Sequence, residues 1–332
     1  MRALVVTAPQ AVQLAELPEP TPDDGEVLVQ PRLVGMCGTD LEIIDGSIDQ
    51  AYVRMPLTLG HEWSGVVVQA ASDSPPVGTR VVVEGIVPCG VCPECAAGNT
   101  NRCQVYDEVG FTRPGAAADL ITVPAQLVHA LAPTVSFESG VLVEPAAVVY
   151  RAIDRANPQP GARVLVVGDG TVGLIAACLL RLWRPASVHL LGARSAQQPL
   201  ATDAGVDAFF TDASQIGSGY DLIVEAAGAT AAVEAAVAAT GRGGTVVLLG
   251  LAGTGETARV PVDDIVNGDV TIIGSFGYTT NAWAAVVDLL NAGEVSLDFL
   301  ITHRYPLGEW QAAVATLRRS DGVRGKVLLE IS

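Results

Sequence analysis

Arg163-Val164-Leu165-Val166-Val167 runs directly into Gly168-Asp169-Gly170-Thr171-Val172-Gly173, and the apolar stretch Leu174–Leu182 follows. A Val-rich run, a glycine-patterned turn and a long apolar segment read as strand, loop and helix. In that setting each glycine has a separate task. Gly168 permits the tight turn, Gly170 lets backbone approach a pyrophosphate, and Gly173 lets the helix pack closely on its strand. Thr171 and Val172 open the helix, where unpaired amides and the dipole favour an anion. The pattern alone is weak, and a plain strand-to-helix turn is the competing reading; the context favours dinucleotide binding.

Downstream, strand-like runs at Val188–Leu191, Leu222–Val224, Thr245–Leu249 and Val270–Ile273 alternate with Ala-rich stretches. One of these is a helix expected over Ala229–Thr240 and closed by Gly241. Such alternation predicts a doubly wound parallel sheet, an α/β Rossmann unit placed over 149–283. Upstream, over 1–148, the texture is different. Short Val-dominated runs (Val27–Val29, Val66–Val68, Arg80–Val83, Leu120–Val123) are broken by Gly, Pro and Asp, as in a barrel-like β unit. Leu17–Gly25 reads as a turn between strands. Over 284–332 the chain returns to that first unit, with helices expected at Ala282–Ala292 and Gly308–Arg319 and a strand at Lys326–Ile331.

The second strand of the nucleotide unit bears on cofactor choice. Dinucleotide folds that bind NAD place Asp or Glu about 20 residues beyond the glycines, to hold the ribose 2′-hydroxyl. Here Val188–Leu191 ends on Gly192, and no acidic residue occurs from Leu174 to Thr202. Arg194 and Ser195 follow, a cation and a hydroxyl where a 2′-phosphate would lie. NADP is therefore favoured over NAD, the alternative being that Arg194 is a solvated loop charge.

Two metal patterns stand in the first unit. Cys89, Cys92, Cys95 and Cys103 lie within the loop 88–104 and can close a tetrahedral thiolate shell with no open position, a structural zinc lobe. Two disulfides are the competing reading. The second pattern is dispersed: Cys37 in Cys37-Gly38-Thr39-Asp40, His61 and Glu62 after Gly60, and Glu144 before Pro145. Thiolate, imidazole and carboxylate together suit a catalytic zinc that keeps one position open. Taken singly, each has a plain structural explanation. Two zinc ions per subunit are expected.

Composition narrows the classes. Forty-nine per cent hydrophobic and 17% charged residues fit a folded globular chain. A net charge of -17 argues against nucleic-acid partners and against anionic membranes. No signal peptide or membrane span is apparent, so a cytoplasmic location is expected. The basic residues are Arg save for Lys326, which reads as compositional bias.

Together these motifs resemble the zinc-dependent medium-chain alcohol dehydrogenase family along essentially the whole chain. Gly65 after the Gly-His-Glu motif, Gly78-Thr79-Arg80-Val81 before the Cys lobe, and Val123-Pro124-Ala125 carry the likeness. So do Glu144-Pro145 and Gly325-Lys326-Val327. The resemblance implies a GroES-like catalytic domain built from both chain ends, with the Rossmann domain inserted, and a homodimer or homotetramer. It implies Cys37 and His61 as zinc ligands, with Glu62 or Glu144 completing the set. It implies Asp40 as the carboxylate orienting the ligand imidazole, and Thr39 as the hydroxyl that hydrogen-bonds the substrate oxygen. Cys-Gly-Thr-Asp, Glu84 and Glu144-Pro145 resemble the polyol, sugar and threonine dehydrogenase branch. There is one departure: that branch commonly carries a proton-relay His where this chain has Glu42. The expected reaction is hydride transfer between a secondary alcohol and a nicotinamide cofactor. The alternatives are an amino-alcohol dehydrogenase, a zinc-free reductase on the same fold, and a non-catalytic nucleotide-binding sensor.

Overall fold

The computed structural model describes residues 1–70 and 75–331, and these divide into two compact units. The first comprises Met1–Glu144, Thr279–Arg319 and the chain from Lys326 onward; the second comprises Pro145–Tyr278 and Ser320–Gly325.

The first unit is mostly antiparallel. A small sheet orders Ala11–Glu16, Arg2–Ala8 and Leu57–Thr58. A larger one runs Ile301–Pro306, Lys326–Glu330, Glu26–Met36, Glu62–Gln69, Arg80–Val83 and Val128–Ala130, with Ile121–Pro124 also paired to Glu26–Met36. Alternating Val, Leu and Ile put one face of these strands into a core that holds Val27, Val29, Val34, Trp63, Val81 and Leu329. Within the sheet Gly35 stands opposite both Glu62 and Leu328. A Cβ at Gly35 would lie 2.6 Å from Glu62 Oε2 and 2.7 Å from Val141 Cγ1. The glycine therefore makes room for a carboxylate at the middle of a sheet.

The second unit is a parallel sheet ordered Ala208–Phe210, Ser187–Leu191, Arg163–Val167, Tyr220–Glu225, Thr240–Leu248, Thr271–Gly274. Numbered by sequence these six are 3-2-1-4-5-6, so the order reverses between Arg163–Val167 and Tyr220–Glu225, where ligands of such sheets bind. The chain thus has the Rossmann-plus-GroES-like α/β fold.

Some boundaries differ from the sequence expectation. The helix expected to run to Thr240 is Thr230–Ala239, and Thr240 already begins a strand extending to Leu248. Thr240 takes part in both, since its hydroxyl donates to Ala236 O while its backbone pairs with Tyr220. The units change at Glu144/Pro145, inside the first turn of helix Val143–Ala156. Ser320–Gly325 joins the second unit because Gln197, fully buried, donates to Arg324 O at 2.9 Å and accepts from Arg324 N–H at 2.8 Å. Thr171 Oγ1 adds a bond to Gly325 O at 3.2 Å.

Candidate active site

Strand Glu26–Met36 ends beside Cys37, which is the N-cap residue of helix Gly38–Asp45. A thiol at a helix N-terminus is placed where negative charge is favoured. Asp40, third in that helix and buried, accepts the Cys37 N–H at 2.9 Å. Its other oxygen, Oδ1, faces His61 Nδ1 at 3.6 Å, and both atoms are buried without a hydrogen-bond partner among the described residues. At that distance no hydrogen bond is made, so each atom is orphaned at substantial cost. His61 Nε2 points the other way, 3.1 Å from Cys37 Sγ. Cys37, His61 and Glu62 bring one ligand atom each within 4.8 Å of one another. An imidazole backed by a carboxylate and facing a thiol suits zinc by donor type, and a slight ring movement on binding would close the Asp40 contact.

The electrostatics follow from burial. Burial alone would lower the His61 pKa; the adjacent Cys37 and Asp40 outweigh it and hold it well above the ordinary imidazole value. Glu144 stands outside the three-residue cluster, and burial together with nearby Glu62 pushes its carboxyl up to about 8. Thr39 is half-buried in the first turn of the same helix, whereas Glu42 is exposed on it.

Sequence reasoning places Lys326 in the Gly325-Lys326-Val327 likeness but gives its side chain no role. It is buried, and its Nζ bonds Glu62 Oε2. Burial would lower its pKa, but Glu62 more than compensates and holds the ammonium charged. The one lysine is thus the buried partner of a residue in the donor set, where its rarity in the sequence reads only as compositional bias.

Cys89, Cys92, Cys95 and Cys103 converge within 4.8 Å. All are free thiols, and Cys89 Sγ and Cys95 Sγ are 4.0 Å apart, about twice a disulfide bond. Cys103 Sγ accepts the amides of Cys89 and Val105 at 3.3 and 3.4 Å. Backbone amides hold the Cys92 thiol down to about 6, while desolvation pushes Cys95 up to about 12. Four sulfurs converging in one small shell suit a cation that takes all of them as thiolates.

In the second unit Gly168 has φ 119°, and a Cβ there would lie 2.8 Å from the backbone at Ala226 and Ala227. A Cβ on Gly173 would lie 1.9 Å from Gly168 O. Gly170 caps helix Thr171–Leu180 and faces open space, so the amides of Thr171, Val172 and Gly173 are left to an anion. Arg194 is engaged: its Nη2 bonds Asp169 Oδ1 at 2.9 Å, and Asp169 Oδ2 also accepts the Ala193 and Arg194 amides. Although the sequence from Leu174 to Thr202 has no acidic residue, Asp169 brings a carboxylate to this strand end from the glycine loop. Arg194 Nη1 is nonetheless buried without a partner among the described residues. Arg324 lies near enough that Arg194 helps depress its pKa, after burial. Ser195 is exposed, and Gly192 is required, since a Cβ there would meet Asp169 Cβ at 2.6 Å.

The family model for the alcohol dehydrogenase GroES-like domain matches residues 23–133, and that for the glucose dehydrogenase C-terminus matches 137–327. The chain is 32% identical to an L-threonine 3-dehydrogenase of Streptomyces coelicolor, over 99% of each chain. It is 31% identical to a sorbitol dehydrogenase of Gallus gallus, over 97% of this chain and 94% of the other. A Sinorhizobium meliloti protein described as a zinc-binding dehydrogenase, solved bound to NADP, superposes with a TM-score of 0.93. It shares 27% identity and covers 99% of this chain and 98% of its own.

Proposed function

The chain belongs to the zinc-dependent medium-chain alcohol dehydrogenase family, and from that premise we propose that it oxidises a secondary hydroxyl of a polyol, sugar or related compound, with NADP as acceptor. The observation carrying this reading is the Cys37–His61–Glu62 donor set with Asp40 behind the imidazole. When bound, zinc acidifies the alcohol as a Lewis acid and the nicotinamide accepts hydride. Cys37, His61 and Glu62 hold the metal, and Asp40 fixes the tautomer and direction of His61. Lys326 orients Glu62 and offsets its charge, and Glu144 stands in reserve beside it. Thr39 accepts the proton released by the alcohol, and Glu42 passes it to solvent in place of the histidine of relatives. The Cys quartet holds a second zinc ion, without an open position and therefore structural.

For the cofactor, Gly168, Gly170, Thr171, Val172 and Gly173 cradle the pyrophosphate. The free Nη1 of Arg194, with Arg324 beside it, supports a 2′-phosphate, and Asp169 holds Arg194 ready and is itself occupied. A homodimer or homotetramer is supported by the open sheet edge Thr271–Gly274 and by the exposed Val262, Val266 and Phe276 that flank it in sequence. Among the described residues no helix is long and apolar enough to cross a membrane, and a cytoplasmic location fits the redox state the four thiols need. The experiment is a panel of polyols, sugars, amino alcohols and simple alcohols, and the matching carbonyls, with NADP and NAD. Zinc-loaded protein without turnover on any of them would leave a nucleotide-binding sensor.

A further inference from the structure

Gln197 and Gln198 are neighbours in sequence and opposites in structure: Gln198 is exposed, whereas Gln197 is fully buried. An amide so far from water needs partners for both its oxygen and its nitrogen, and Gln197 finds them on well-separated stretches of chain. Its backbone N–H donates to Arg194 O at 2.9 Å. Its Nε2 donates to Asp169 O at 2.6 Å and to Arg324 O at 2.9 Å, and its Oε1 accepts the Arg324 N–H at 2.8 Å. Asp169 belongs to the glycine turn, Arg194 follows the end of strand Ser187–Leu191, and Arg324 lies 127 residues beyond Gln197. One residue thus gathers the glycine turn, the second strand end and the segment Ser320–Gly325.

The charges gathered there do not balance. Arg194 Nη2 bonds both Asp169 Oδ1, at 2.9 Å, and Asp169 O, at 3.1 Å. Arg324 brings a second, half-buried guanidinium; burial lowers its pKa and Arg194 lowers it further, against the pull of Asp169. In a chain of net charge -17 this corner therefore carries two cations for one acid. Like charges disfavour one another, so the arrangement needs something to hold it. The glycine turn has a second tie, since Asp169 O is also bonded by Arg194. For Arg324, Gln197 takes both the carbonyl and the amide. We propose, resting on the NADP reading, that Gln197 is a positioning residue for cofactor choice: without touching the cofactor it holds Arg324 beside Arg194, so that both guanidiniums meet the 2′-phosphate. A pair assembled before the ligand arrives binds more tightly, because its ordering is already done.

The test measures calorimetric Kd on the zinc-loaded full chain for 5′-AMP and for adenosine 2′,5′-bisphosphate, which differ only by the 2′-phosphate, and it needs no turnover. Wild type should bind the bisphosphate at least about tenfold more tightly. Gln197→Met, which fills the same space without hydrogen bonds, should shrink that ratio by about fivefold, and Arg324→Ala should do the same. The double variant should go no further, because each change releases the same contact. Gln197→Asn, whose amide falls one methylene short, should shrink the ratio likewise and takes the place of the Met variant if that one does not fold, as melting temperatures establish. Equal weakening of both nucleotides in the Gln197 variants, an unchanged ratio, or losses that multiply in the double variant would overturn the proposal and leave the NADP reading standing. A wild type that binds the two nucleotides equally would sink the NADP reading itself, and the proposal with it.

Discussion

Replacing Lys326 with Met keeps the length and apolar stem of the side chain but leaves Glu62 buried without its cation. Both residues are about 2% exposed, so water cannot take over the role. Removing one member of such a pair costs about 3–5 kcal/mol. The carboxyl has an escape, because it can take up a proton. That places a ceiling on the loss: at about 1.4 kcal/mol per pH unit above an unfolded pKa near 4.3, the cost is at most about 3.7 kcal/mol at pH 7 and about 1 kcal/mol at pH 5. The sign is fixed by linkage. In the variant the folded-state pKa of Glu62 lies above its unfolded value, so the folded state holds the extra proton. The variant should therefore approach wild type as pH falls toward 4 and fall away from it as pH rises. Urea denaturation of metal-free protein, followed by tryptophan emission at several pH values, reads this directly. Three of the four tryptophans (Trp63, Trp283 and Trp310) lie in the unit concerned. The double variant with Glu62→Gln should recover most of the loss. A pH-independent loss, or a single-variant loss below about 1 kcal/mol at pH 7, would refute the buried pair.

Metal analysis of protein purified without chelators should give two zinc ions per chain; Cys37→Ser should lose one and nearly all activity while staying folded, and Cys95→Ser should lose the other with a marked drop in melting temperature. Arg194→Ala should lower the NADP-to-NAD ratio of kcat/KM by about 10–100-fold and Arg324→Ala by less, and a wild-type preference for NAD would show that neither guanidinium meets a phosphate. Gly192→Asp, the natural way to install a ribose acceptor, is barred by the Asp169 side chain over Gly192, so it should cost stability instead of switching the cofactor. Glu42→Gln should slow alcohol oxidation most at lower pH with zinc content unchanged, and a kcat profile superimposable on wild type would assign Glu42 to the solvated surface.

The parallel sheet was legible because its strands are Val-rich runs separated by helices, and a period of that kind survives without any knowledge of neighbours. The Cys quartet was legible for a similar reason, since a short loop confines all four sulfurs. What escaped reading depends on side-chain reach. Asp169 looks like a filler between two glycines, and only the fold shows it crossing to Ala193 and Arg194. Lys326 precedes a Val-Leu-Leu run, and its partner is far away in sequence, brought near by the sheet that also sets Gly35 beside Glu62 and Leu328.

The strand order of the first unit has a consequence for synthesis. Lys326–Glu330 lies between Ile301–Pro306 and Glu26–Met36, so the interior of that sheet waits for a segment translated some 300 residues after its neighbour. The strands of the nucleotide unit all fall between Arg163 and Gly274 and can pair while the ribosome is still extending the chain. Until the last strand is made, Glu26–Met36 lacks its partner on that side, an unpaired strand edge of the kind that invites wrong pairing.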